Sequence, residues 1–327
     1  MKTILVTGGY GFIGSAFVRQ EIAAGNRVMN IDKLTYAADL TNLSEVEGNK
    51  NYKFIKGDIC EPMVVGNVFA AEKIDWVVNF AAESHVDNSI EKPADFMQTN
   101  IFGVFNLLQN ALAYWRKSQR DDFRFLQIST DEVFGSLGKT GKFDEETPYN
   151  PSSPYSASKA AADHLVKAWH KTYGLPVLIT NCTNNYGPRQ NGEKLIPKII
   201  ACALAEKPIP IYGDGGNVRD WIFVDDHCAG IKLALEKGRV GESYGFSGNS
   251  EKTNNEIVQI ICRELDKLRP RKSGQPYAEL ITYVTDRLGH DLRYALDDAK
   301  ARKELGYKSV KTFEERIRQT VRAYAGN

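Results

Sequence analysis

The chain has 327 residues, with 42 Lys plus Arg against 41 Asp plus Glu, a net charge of +1. That balance leaves no broad basic face for nucleic acid. No run approaches the roughly 18 apolar residues of a membrane span, and the opening Ile4-Leu5-Val6 run is too short for a signal segment. A cytoplasmic protein without membrane or nucleic-acid partners is expected. The five cysteines (Cys60, Cys182, Cys202, Cys228 and Cys262) are odd in number and lack a C-x-x-C pair. They read as free thiols in a reducing compartment, with no metal site.

In chain order, short apolar runs alternate with helical patterns, as in a parallel sheet covered on both faces. Strands are expected near Thr3–Val6, Arg27–Ile31, Tyr52–Lys56, Trp76–Phe80, Arg124–Ser129, Val177–Asn181 and Tyr244–Phe246. Helices are expected near Ile13–Ala24, Met63–Ala71, Ala94–Arg116 and Ser156–Tyr173. Beyond about residue 185 turn signals crowd together, with shorter strands (Ile209–Tyr212, Trp221–Val224) and helices (Leu195–Ala205, Asp226–Glu236, Asn254–Lys267, Phe313–Ala323). The fold class is therefore α/β: a Rossmann-type doubly wound parallel sheet over residues 1–185 and a smaller α/β substrate lobe over 186–327. The strand near 244–246 can return to the first sheet.

The segment Thr7-Gly8-Gly9-Tyr10-Gly11-Phe12-Ile13-Gly14 follows a strand and opens a helix, satisfying G-x-G-x-x-G at Gly9, Gly11 and Gly14. Glycines let the backbone approach a pyrophosphate, and the helix N-terminus offers open N–H groups. Asp32 ends the second strand, where a carboxylate accepts from ribose hydroxyls and repels a 2′-phosphate. The expected cofactor is NAD, although the neighbouring Lys33 weakens the argument against NADP. Asp58, in Gly57-Asp58-Ile59 after the third strand, is placed near the adenine. Tyr155 and Lys159 sit at i and i+4 on one helix face. A nearby ammonium favours the phenolate and makes the tyrosine a base. Ser129 or Thr130, ending the preceding strand, can hydrogen-bond the same substrate hydroxyl.

Asp131 and Glu132 follow at once. Adjacent carboxyl groups suit an elimination, in which one removes a proton beside a ketone and the other protonates a leaving hydroxyl. Neighbours on a regular strand face opposite ways. Both can therefore reach one sugar only if the chain bends just after Thr130.

The glycine loop, the Ser-Thr strand end and the Tyr-Lys pair together resemble the extended short-chain dehydrogenase/reductase superfamily. The Thr130-Asp131-Glu132 segment narrows this, with Ala81-Ala82-Glu83-Ser84-His85-Val86-Asp87, Asn181 to Pro188, Glu193 to Pro197, Arg219-Asp220-Trp221 and Asp286 to Asp291. The set, from Thr3 to about Tyr294, resembles the dTDP-glucose 4,6-dehydratases. Epimerases of the superfamily lack the acidic doublet.

The resemblance implies a lyase that converts dTDP-glucose to dTDP-4-keto-6-deoxyglucose through transient oxidation by tightly bound NAD, in deoxysugar biosynthesis. It assigns the chemistry to Thr130, Asp131, Glu132, Tyr155 and Lys159. It assigns the cofactor to Gly8, Gly11, Phe12, Ile13, Gly14, Asp32, Lys33, Thr35, Asp58, Ile59, Ala81, Ala82, Ser84, Thr99, Tyr155, Lys159 and Asn185. It assigns the nucleotide sugar to Ser84, His85, Asn184, Lys194, Leu195, Pro210, Tyr212, Arg219, Asn254, Arg287, His290 and Tyr294, with Arg219 and Arg287 as physical candidates for the diphosphate. It implies a homodimer built on the helices near 94–116 and 156–173.

Two departures stand out. The Gly135–Pro151 loop is shorter than in many relatives, and Leu288 replaces an expected proline. UDP or GDP sugars, an epimerase or decarboxylase of the same superfamily, and a non-catalytic NAD-binding regulator are the alternative readings. The last would need a broken Tyr-Lys or acid set, and both are intact.

Overall fold

The computed structural model describes residues 1–286 and 289–326. Seven parallel strands form the main sheet: β1 (Thr3–Thr7), β2 (Arg27–Asp32), β3 (Tyr52–Lys56), β4 (Trp76–Asn79), β5 (Arg124–Ile128), β6 (Val177–Cys182) and β10 (Ser243–Phe246), in the order β10-β6-β5-β4-β1-β2-β3. The strand expected at 244–246 is thus the sheet's edge beside β6. The order reverses direction at β1, where β2 and β4 flank it on opposite sides.

The strands are apolar on both sides because both sides are covered. Ile4, Val6, Val78, Leu126 and Leu178 pack into one core cluster, while their neighbours Leu5, Val77, Phe125, Val177 and Ile179 pack into the other. α1 (Phe12–Ala23) and α8 (Val224–Lys237) cover the first face. α2 (Pro62–Ala71), α5 (Val104–Ser118) and α6 (Pro154–Tyr173) cover the second.

The expected helix near 94–116 is present, with a π-helical stretch inside it. A helix α3 (Val86–Glu91), unforeseen from the sequence, and a turn α4 (Pro93–Phe96) lead into a π-helical stretch, Met97–Gly103, before α5. The wider π turn is held from inside. Asn100 Nδ2 donates to the Ser158 hydroxyl at 2.8 Å and to the Glu83 carbonyl at 3.0 Å, and its Oδ1 accepts from Glu83 N. Helix α6 starts where it does because Ser153 and Ser156 form a capping box and Pro154 occupies the first turn. Such a cap contributes about 1 kcal/mol and sets Tyr155 in the first turn. Gly174 (φ 74) closes the helix in the left-handed region.

The second lobe uses β7 (Asn184–Tyr186), β9 (Val218–Phe223) and β11 (Glu251–Thr253) as a three-stranded sheet, and β8 (Ile209–Tyr212) with β12 (Ile281–Val284) as a pair. α7 (Leu195–Leu204), α9 (Asn254–Leu268) and α11 (Phe313–Ala325) share its apolar core with Tyr186, Trp221 and Phe223, while α10 (Ala299–Leu305) packs against α8 and β10. β7, β11, β12 and α10 are additions to the elements read from the sequence. The 135–151 segment packs Phe143 against Leu296 and Phe134. Leu288 lies outside the described residues.

The chain crosses from β10 back to the second lobe past Gly248, where a Cβ would lie 1.8 Å from the Trp221 carbonyl oxygen. Backbone cannot yield there as a side chain would. Gly248→Ala is expected to cost about 1–3 kcal/mol, measured as a lower urea midpoint. An unchanged midpoint would show that this close approach does not constrain the fold.

Candidate active site

A cavity of about 300 Å³ opens at the carboxyl ends of β1, β2, β4, β5 and β6, between the sheet and the loops before α7. Its first wall is the glycine loop. Gly8 has φ +72, and a Cβ on it would sit 2.7 Å from Ala81 N; one on Gly14 would sit 2.4 Å from the Gly8 carbonyl. Gly11 caps α1 with no side-chain hydrogen bond, so the first amides of the helix are left for a ligand. Asp32 is buried and accepts from Tyr10 N and Leu34 N at 2.9 and 2.8 Å. Burial raises its pKa, partly offset by those two amides. Lys33 turns to Thr99, 3.0 Å from its hydroxyl, and lies 3.6 Å from both Asp58 and Glu83. The cradle fits a dinucleotide: glycine backbone where a pyrophosphate needs close approach, an open helix N-terminus, and an acid at the end of β2.

The second wall is the end of β5. The expected bend is present: Thr130 is extended (φ −141, ψ 157), and Asp131–Phe134 form a 3₁₀ turn. Successive side chains on such a turn point about a third of a revolution apart. Asp131 and Glu132 therefore both line the cavity. Asp131 is buried, with Oδ1 3.3 Å from the Thr130 hydroxyl and Oδ2 without a hydrogen-bond partner among the described residues. Burial drives its pKa well above the usual carboxylate range, and the Glu132 carboxylate pushes the same way.

Tyr155 and Lys159 form the third wall. Lys159 Nζ donates to the Ile128 carbonyl at 2.5 Å, and burial lowers its pKa. The Tyr155 phenol departs from the sequence expectation. Burial, then the Glu132 carboxylate, hold its pKa well above 10, while the Thr130 hydroxyl acts in the opposite direction. The main cause is burial, to which the facing Glu132 carboxylate adds. Of the two hydroxyls considered from the sequence, Ser129 is engaged elsewhere, donating to Asp163 at 2.5 Å. Thr130 is the one that faces Tyr155.

All the residues assigned to the cofactor from the sequence line this one cavity, as do Thr130, Asp131 and Glu132, and Ser84, Asn184 and Lys194 from the nucleotide-sugar set. The remaining described members of that set do not. His85 caps α3 and lies 3.9 Å from Glu193, and Leu195 begins α7. Arg219 lies flat on Tyr294, 4.3 Å from the ring centre, and donates to the Val218 and Asp291 carbonyls at 2.8 and 3.0 Å. It is close enough to act against the rise in Asp131's pKa. His290 binds Asp286 at 2.7 Å beside the Tyr212 ring. Pro210 and Tyr212 lie on β8, and Asn254 opens α9. Arg287 falls outside the described residues.

Several cavity residues had escaped the sequence reading: Ala37, Ala38, Glu83, Cys182, Gln190, Asn191 and Glu193. The turn signals of 187–192 marked a loop but not the wall it makes. Cys182 had been read as a buried thiol; burial pushes it up to about 12, so it is inert. Among the described residues no cluster of metal-ligating side chains occurs, and no helix is long and apolar enough to cross a membrane.

The family model described as GDP-mannose 4,6 dehydratase matches residues 5–320. A dTDP-glucose 4,6-dehydratase of Xanthomonas campestris pv. campestris is 56% identical over 100% of this chain and 94% of the relative. Among solved structures, a dTDP-glucose 4,6-dehydratase from Bacillus anthracis in complex with NAD superposes with a TM-score of 0.88 at 45% identity, covering 100% of this chain and 97% of that one. A UDP-glucose 4-epimerase from Thermotoga maritima shares the fold (TM-score 0.87, 99% of both chains) at 28% identity. The likeness runs through both lobes, and the chain belongs to the dTDP-glucose 4,6-dehydratase family.

Proposed function

We propose that this protein removes water from dTDP-glucose to give dTDP-4-keto-6-deoxyglucose, with residues 1–185 holding NAD and 186–327 holding most of the nucleotide. The observation that carries the reading is a buried Asp131, its pKa raised by that burial, beside Glu132 in the same cavity as Tyr155 and the dinucleotide cradle. Among relatives, NAD is present in the Bacillus anthracis structure. With Asp32 at the end of β2 and Lys33 drawn toward Asp58 and Glu83, the site favours an unphosphorylated ribose.

Bound NAD supplies a hydride acceptor and, later in the same turnover, a hydride donor. To take the proton of the hexose 4-hydroxyl Tyr155 acts as its phenolate, the form that the Lys159 ammonium and the Thr130 hydroxyl favour and that burial by itself disfavours. The C4 ketone makes the C5 proton acidic, and the Glu132 carboxylate removes it. Asp131, kept as a carboxylic acid by burial, gives its proton to the C6 hydroxyl, which leaves as water. After water leaves, Glu132 carries the C5 proton and can give it back to C5, while the proton gained at Tyr155 offsets the one lost from Asp131. Lys194, Ser84 and Asn184, which line the cavity, supply contacts to the nucleotide sugar.

The same helices suit a homodimer. Phe102 is 58% and Phe105 40% exposed, and Tyr173 at the end of α6 is 42% exposed, with Trp169 bridging Phe105 and Tyr173 edge to face. Such a patch on a monomer marks an association surface.

Purified protein with dTDP-glucose should yield a product lighter by one water with no net NADH; an epimer of unchanged mass would refute the dehydratase reading. Asp131→Asn should retain bound NAD and lower kcat by about 10²-fold or more. A second consequence concerns pH. Asp131 acts as the acid, and its raised pKa extends the pH range over which it holds its proton, which is lost as pH rises through that pKa. In the unaltered protein kcat therefore falls through that pKa, and in Asp131→Asn that step of the profile disappears. An Asp131→Asn profile with the same alkaline step would remove Asp131 from the role. Light scattering should give a two-chain mass that drops to one chain in Phe102→Asp/Phe105→Asp; two-chain mass in that variant would contradict the proposed interface.

A further inference from the structure

Lys159 projects from α6 into a wholly buried setting, and the structure provides it with a second, hidden neighbour. Asp163 lies one helical turn further along α6, four residues on, so the two side chains share a face. Its side chain is fully buried (0% exposed). One carboxylate oxygen, Oδ2, accepts from the Ser129 hydroxyl at 2.5 Å and from the Tyr149 hydroxyl at 3.1 Å. The other, Oδ1, is buried with no hydrogen-bond partner among the described residues. A buried carboxylate costs several kcal/mol unless it is paired and hydrogen-bonded. Two hydroxyl donors on one oxygen stabilise the charge, and the Lys159 ammonium on the same helix face adds a charge–charge attraction without a direct ion pair.

We infer that Asp163 is a positioning residue of this site: clamped by Ser129 at the end of β5 and by Tyr149 before α6, its carboxylate is fixed one helical turn from Lys159 and sets the local field in which that ammonium sits on the Ile128 carbonyl. Asp163 touches neither sugar nor cofactor; it acts through Lys159. The charged and titratable groups around the pair are few. On α6 these are Tyr155 and Lys167; on β6, the Cys182 thiol; beyond β5, Asp131 and Glu132. Of these, Asp163 gives the largest support to the Lys159 charge, against the burial that disfavours it. Lys159 in turn is the first group to favour an ionised Asp163, followed by the Ser129 and Tyr149 hydroxyls. The arrangement also accounts for Ser129, whose hydroxyl is drawn off the substrate side, leaving Thr130 to face Tyr155.

The relevance to catalysis rests on Lys159 acting at the hexose 4-hydroxyl, as proposed above, but the test does not. Protein carrying lysine labelled with carbon-13 at the ε position reports each amine's protonation by NMR, and the Lys159 signal is the one absent in Lys159→Arg. In Asp163→Asn, which keeps shape and an acceptor, the Lys159 midpoint should fall by about one pH unit or more relative to the unaltered protein. Tyr149→Phe keeps the carboxylate and removes one of its donors. In the unaltered protein the Lys159 carbon should show a second, acid inflection as Asp163 takes up a proton, and Tyr149→Phe should move that inflection upward. A Lys159 midpoint unchanged in Asp163→Asn would overturn the inference. Where that variant does not fold, an acid inflection that is absent, or that Tyr149→Phe fails to move, overturns it equally.

Discussion

The site depends on where one strand stops. β5 runs as a regular strand to Ile128, and the chain leaves strand geometry after Thr130 for a single 3₁₀ turn. Continued as a strand, it would have sent Asp131 and Glu132 to opposite faces of the sheet. The turn gathers both carboxyl groups into the cavity that also receives Tyr155 and the glycine loop. Thr130 stabilises this turn by accepting from Glu132 N at 3.3 Å, and it is the same hydroxyl that faces the phenol. Local capping and catalytic geometry are one hydrogen-bonding arrangement.

Everything else in the main sheet brings groups to that point. Parallel strands covered on both faces bring their carboxyl ends together, and a reversal of strand order leaves a crevice there. The helix after β1 offers its amide end; the helix before β6 offers Tyr155 and Lys159. The π turn before α5 swings Asn100 inward to tie the Glu83 loop to Ser158 of α6, so that the wall behind the cofactor cradle is braced against the catalytic helix. Charges are then graded by burial. Asp131 and Tyr155 are both pushed toward their neutral forms, whereas Lys159 keeps an acidic neighbour in Asp163. One cavity thereby holds a carboxyl group, Asp131, pushed toward its acid form beside the Glu132 carboxylate.

What the sequence disclosed is what local chemistry determines. Gly8, Gly11 and Gly14 between a strand and a helix, Asp32 at a strand end, and Tyr155 with Lys159 at helical spacing each carry their meaning within a few residues. The bend after Thr130 followed from requiring two adjacent acids to act on one ring. The second lobe was less legible because its pairings are distant in sequence: β12 joins β8, and β7 lies beside β9. Short strands of three or four residues carry too little periodicity to be seen alone. The π turn depends on Asn100 meeting Ser158, a contact no window of sequence contains. Likewise the phenolate expected from Lys159 was a pairwise inference; the structure adds the burial and the facing Glu132 that reverse the direction in the protein's own groups. Arg219, read as a diphosphate ligand, is seated on Tyr294 by an aromatic contact that only the folded second lobe creates.

The central claim is that the two acids perform the loss of water as a step separate from oxidation at C4. The most direct measurement is a single turnover of the Asp131→Asn/Glu132→Gln double variant with dTDP-glucose, followed by the absorbance of reduced nicotinamide and by product mass. The account predicts reduced nicotinamide that accumulates and persists, with no product lighter by one water. Water loss at the rate of the unaltered protein would contradict it.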